Sequence, residues 1–131
     1  QDYVEDIFLR LEIYNDISNA KNDYDIDHIV SKLEDVYGPI PDYLKNLFSL
    51  TRVKIEGNRI KADKIKINKE NTVITLNPKS LIDNDKLINH FVLKNKIKLT
   101  DQYNLKYQNI SKDNFCELCE EVISMMKDIS D

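Results

Sequence analysis

Three groups of residues in this sequence have the types and spacing that chemistry requires. The first lies in "DYDIDHIVSKLE", where Asp23, Asp25, Asp27 and Glu34 fall at positions 1, 3, 5 and 12 of a twelve-residue calcium loop. That loop needs Gly at position 6 for its sharp turn, and His28 stands there instead. Ile26, Ile29, Val30 and Leu33 also run through it at helical spacing. The aspartates therefore read as the acidic first turn of a helix, where the dipole favours anions. The second group is "CELC", Cys116 to Cys119, the spacing of half a zinc site or of a redox pair. Zinc wants about four ligands, and the two histidines, His28 and His90, each stand alone in the sequence. A redox pair should open a helix after a strand, whereas this one is expected inside the C-terminal helix, past its first turn. The third group is a lysine-rich middle: Lys61, Lys64, Lys66, Lys69, Lys94, Lys96, Lys98 and Lys106. A basic sheet face could track phosphates. Few aromatics lie among these lysines to stack on bases, and lysines on a sheet also discourage edge pairing. No Gly-rich phosphate loop, paired His/Glu motif or nucleophile signature is present in the sequence. The expectation is that the chain carries no catalytic, metal or cofactor site.

The elements that must position these residues can be read from periodicity. Residues 4–20 place Val4, Ile7, Leu11 and Tyr14 at helical spacing, widened by Phe8. Residues 25–37 repeat the pattern, and a third helix takes Leu44, Leu47, Phe48, Thr51 and Ile55. Between the second and third helices lies "EDVYGPIPD". Gly38 is placed to end one helix with positive φ, Pro41 to open the next, and Pro39 to stiffen the corner. The period then changes. Residues 63–76 alternate as a β-hairpin, residues 84–94 form a short helix, and residues 96–107 alternate again with Ile97, Leu99, Leu105 and Tyr107 on the dry side. Ser111 or Asp113 can cap a last helix with an inner stripe of Phe115, Leu118, Cys119, Val122, Met126 and Ile129. The predicted class is α+β: three N-terminal helices, then two β-hairpins separated by a short helix, then a C-terminal helix.

With 131 residues, 41% hydrophobic and 32% charged, the chain has the size and composition of one globular domain. No apolar run approaches the roughly 20 residues needed to cross a bilayer. Two cysteines without a secretory signal suit a reducing cytoplasm. The sequence opens at Gln1 inside an acidic phrase and reads as a fragment of a longer protein, with residues 1–6 expected as an incoming connector and residues 7–131 as a single domain. The net charge of −4 is banded: residues 1–51 hold four basic and eleven acidic side chains, residues 52–112 fourteen and six, and residues 113–131 one and six.

"RLEIYNDISNAK" followed by "LEDVYGPIP" resembles the C-terminal domain of the bacterial transcription-repair coupling factor. Arg10, Leu11 and Tyr14 match that family's first phrase; Asp35, Tyr37, Gly38 and Pro41 match its second, with Tyr for Phe; Arg52 in "LFSLTRVK" matches the Arg of its third helix. Two positions depart from the pattern. Val36 replaces the usual Arg, and Lys61 stands where Gly often follows the third helix. The resemblance implies a non-catalytic, autoinhibitory domain, without a cofactor, in an ATP-dependent DNA translocase that displaces stalled RNA polymerase and recruits nucleotide excision repair through UvrA. The implied direct partner is intramolecular, a UvrB-like N-terminal module; UvrA, RNA polymerase and DNA are reached through other domains. A cytoplasmic monomer is expected. The expected docking residues are Asp27, Glu34 and Asp35, outside the apolar stripe of the second helix. A DNA-binding module using the lysine face and a purely structural cap are the alternatives.

Overall fold

The computed structural model describes residues 3–101 and 103–131. Gln1 and Asp2, the start of the expected connector, lie outside the described residues. Three helices come first: α1 (Ile7–Asn19), α2 (Asp23–Tyr37) and α3 (Asp42–Arg59). Asp6 and Asn22 cap α1 and α2 by accepting backbone N–H bonds from the first turn. The remainder is β1 (Lys64–Ile67), β2 (Asn71–Thr75), α4 (Asn84–Leu87) continued by a π-helical turn (Ile88–Val92), β3 (Ile97–Leu99), β4 (Asn104–Gln108) and α5 (Phe115–Ile129). This is the expected α+β order. The two hairpins join into one antiparallel sheet of order β1-β2-β4-β3, because β2 pairs with β4.

Two hydrophobic cores result, and α3 belongs to both. Val4, Ile17, Ile26, Leu33, Ile40, Leu44 and Phe48 form the first, among the three helices. In the second, Val53 and Ile60 of the α3 end meet the inner face of the sheet (Ile74, Leu105, Tyr107, Ile97) and α5 (Leu118, Cys119, Val122, Met125, Met126, Ile129). Glycine lets α3 pack closely against the Ile65 side chain of β1. A Cβ on Gly57 would lie 2.6 Å from Ile65 Cδ1.

Several faces differ from the periodic reading. In α1 the expected stripe is largely in solvent: Ile7, Phe8, Leu11 and Tyr14 are exposed, and the helix buries Ile17 instead. The neighbouring helices cover only its C-terminal half, with Ile13 and Ala20 packed at the edge of the core. Leu99 is exposed at the end of a three-residue strand, and Phe115 is partly exposed where α5 begins. Asn114, rather than Ser111 or Asp113, caps α5 by accepting from the Glu117 N–H at 2.9 Å.

Gly38 ends α2 with φ 85° and ψ −160°. That conformation is not the left-handed helical basin but the mirror-extended region, which is essentially reserved for glycine. Tyr3 donates its hydroxyl proton toward the carbonyls of Gly38 and Leu33 and packs its ring against Tyr37 at 5.6 Å. Pro41 sits one position outside α3, at the N-cap, where its carbonyl accepts from Leu44 and Lys45. Nothing lies within 4 Å of a Cβ built on Gly38, so the penalty of a side chain there is conformational. Gly38→Val is expected to destabilise by about 1–3 kcal/mol. Chemical denaturation checks it, with an unchanged m-value expected.

Candidate functional site

The carboxylates expected to dock share α2 but not an environment. The frame from Asp23 to Glu34 is helical throughout, so no calcium loop exists there. Asp25 accepts from the Lys21 N–H at 2.9 Å. Asp23 and Asp27 face α3, where Arg52 donates to Asp23 Oδ1 at 3.2 Å and to Asp27 Oδ1 at 2.6 Å. Asp27 is therefore already engaged within the molecule, and this pair pins the start of α2 to the middle of α3. Glu34 and Asp35, two turns farther along, are exposed and form no ion pair among the described residues. The last turn of α2 holds no basic residue. Both carboxylates thus sit at the negative end of the helix dipole, an arrangement that costs stability. The corner of Gly38, Pro39 and Pro41 fixes the direction of this helix end.

Beside it, a groove of about 500 Å³ opens between α1 and α2, lined by Leu9, Ile13, Tyr24, His28, Ile29 and Val36 among others. The cysteines face other tasks. Cys119 is buried in the second core, where burial first and its charged neighbours second push its thiol up to about 11. Cys116 is the second residue of α5, in its first turn rather than past it because Asn114 caps the helix, and it is half-exposed beside Asn46. A thiol so hard to ionise is a poor nucleophile or metal ligand.

A family model described as TRCF domain matches residues 1–87. The chain belongs to that family. Similar curated proteins are named transcription-repair-coupling factor. That of Buchnera aphidicola is 27% identical over 128 residues, 97% of this chain, and that of Haemophilus influenzae 25% identical over 131 residues, 98% of this chain. The chain spans 16% and 11% of their lengths. A crystal structure described as the C-terminal domain of transcription-repair coupling factor superposes with a TM-score of 0.73 at 17% identity, covering 95% of this chain and 84% of that one. At that identity the likeness speaks for the fold.

In this TRCF domain the motif residues fall into two kinds. Arg52 and Tyr37 hold elements together, through the α2 aspartates and the Tyr3 ring. Leu11 and Tyr14 stay exposed on α1, and Arg10 is half-buried. The departures from the family pattern have physical consequences. Val36 leaves an apolar side chain 65% exposed beside Asp35. Lys61 takes φ 60°, the strained left-handed conformation that a Gly would adopt freely.

Sequence reasoning missed the polar ties that secure the C-terminal half. Buried Glu56 accepts from Arg59 Nε at 2.8 Å, and Arg59 donates onward to Ser130 Oγ at 2.7 Å. Thr72 donates to Asn109 Oδ1 within the buried sheet. Glu121 accepts from the Tyr107 hydroxyl and from the Ile110 and Ser111 N–H groups. Residue types alone carry no signal for the long-range partners, whereas Glu56 and Arg59, three apart on one helix, have a pairing that spacing does show. Burial acts to raise the Glu121 carboxyl, but those bonds outweigh it and hold it below the usual range. A depressed folded-state value contributes stability that is complete above the unfolded value near pH 4.3 and lost as pH falls through the folded one. Glu121→Gln is therefore expected to cost about 1.5–3 kcal/mol at pH 7, with the gap to the wild type closing below about pH 4. Denaturant titrations at both pH values check this.

Proposed function

We propose that this TRCF domain is a non-catalytic regulatory clamp within a transcription-repair coupling factor. In this reading it docks on the UvrB-like module of the longer protein and hides that module's UvrA-binding surface until the protein is engaged on stalled RNA polymerase. ATP hydrolysis and DNA translocation belong to other parts of that protein, and the domain works as a single copy in the cytoplasm. The observation that carries the reading is the pair Glu34 and Asp35: exposed, unpaired among the described residues, and set at the dipole end that repels them. A basic partner surface would turn that local cost into binding energy. Their helix is also held on both sides, by Arg52 at its start and by the Gly38 corner at its end, so docking would cost little ordering entropy. Of the three expected docking carboxylates, Asp27 is the one with a competing partner, which concentrates the contact on Glu34 and Asp35.

Charge reversal separates the clamp from an inert cap. Glu34→Lys with Asp35→Lys places cations at the negative helix end, so the isolated chain should melt a few degrees higher, for a gain of about 1 kcal/mol. In the full-length protein the same change should release the module and increase UvrA captured in a pull-down. A folded double variant with unchanged UvrA capture would remove this helix end from the interface.

A further inference from the structure

The outer face of the sheet is a second charged surface, away from Glu34 and Asp35. Strand register puts Lys66 opposite Val73, Val73 opposite Lys106, and Lys106 opposite Lys98, a single row across all four strands. Lys64 stands on the same face one step along β1, opposite Thr75. These four lysines are exposed, and the other outward positions are Asn71, Thr75, Asn104 and Gln108, with no carboxylate among them. Of the eight lysines in the basic middle of the sequence, the fold collects these four here. Lys94 and Lys96 instead line a cavity that also holds Glu121 and Asp128. Lys98 and Lys106 face each other directly, and like charges in that position destabilise a sheet. Of the nearby carboxylates, Glu70 pairs with Lys112 at 2.6 Å and Asp63 accepts from Asn77, while Asp101 accepts from Asn104 at the end of this face opposite the lysine row.

We propose that this face is a sequence-independent docking surface for the phosphate backbone of double-stranded nucleic acid. The row spans three inter-strand spacings, about 14 Å, over which a duplex presents about eight phosphates. Lysine supplies point charges for phosphates rather than the planar fork that reads base edges. The outward positions contain no aromatic residue on which single-stranded bases could stack, which favours the duplex. An acidic protein surface is the competing occupant. It is disfavoured because a row of ammonium groups whose one apolar member is Val73, flanked by uncharged polar side chains, fits a uniform polyanion better than a protein interface with an apolar centre.

The test is fluorescence anisotropy of the 131-residue chain with two duplex DNAs of unrelated sequence. Four phosphate contacts predict a log–log salt slope near −3.6, an affinity loss of roughly 150-fold between 50 and 200 mM salt, equal for both duplexes. Lys98→Gln with Lys106→Gln should halve the slope while removing a like-charge repulsion, so this variant stays folded. Adding Lys64→Gln and Lys66→Gln should abolish the remainder. Absence of binding at 50 mM salt, a slope unchanged in the pair variant, tighter binding of the matching single strand, or equal competition by polyglutamate would each overturn the proposal.

Discussion

Helix α3 is the part on which the rest of this domain is hung. Its first half gives Leu44 and Phe48 to the three-helix core, and its second half gives Val53 and Ile60 to the core beneath the sheet. Each such side chain contributes about 1.5–3 kcal/mol when buried, so neither core stands without it. Between these halves Arg52 reaches back to α2, and a turn later buried Glu56 is matched by Arg59, which ties in Ser130 near the C-terminus. Gly57 leaves room for the Ile65 side chain of β1, whose tip would have to move to admit a Cβ there. A slip in α3 would therefore disturb the helical and the sheet halves together. That coupling is what gives an exposed pair of carboxylates on α2 a defined position relative to everything else.

The charge bands in the sequence become separate surfaces in three dimensions. Glu34 and Asp35 project from the end of a helix, while Lys64, Lys66, Lys98 and Lys106 project from the sheet face turned away from α5. Both groups are held where they carry a local electrostatic penalty. The carboxylates face the negative end of a dipole, and two of the lysines face one another across a ladder. Neither arrangement is needed to fill a core. A surface that is locally unfavourable in the free domain gains the most when a partner of opposite charge covers it.

Periodicity located the elements because the 3.6- and 2-residue repeats survive in any packing arrangement. It was less informative about which faces have a neighbour. In α1, Ile7, Phe8 and Leu11 have the spacing of a core stripe yet stay exposed, since α2 and α3 reach only as far as Ile13 and Ile17. Gly38 could be read because its local breaker chemistry is independent of the rest of the chain; its mirror-extended backbone could not, since that depends on the ψ demanded by the corner. The carboxylates proposed to dock were visible as types and positions, but Asp27 differs from Glu34 through Arg52, twenty-five residues away in sequence. Thr72, Asn109 and Glu121 were illegible for the same reason, whereas Glu56 has its partner Arg59 one helical turn away. A buried polar residue is explained by its partner, and the partner is a product of the fold.

In the clamp proposed for this domain, the end of α2 is covered in the full-length protein and free in the isolated domain. Amide hydrogen exchange between Glu34 and Ile40, compared between the two, measures this directly. Slower exchange is expected for these amides in the full-length protein, returning to the isolated-domain rate when UvrA is bound. Equal rates in both, with the rest of α2 and α3 equally protected, would contradict it.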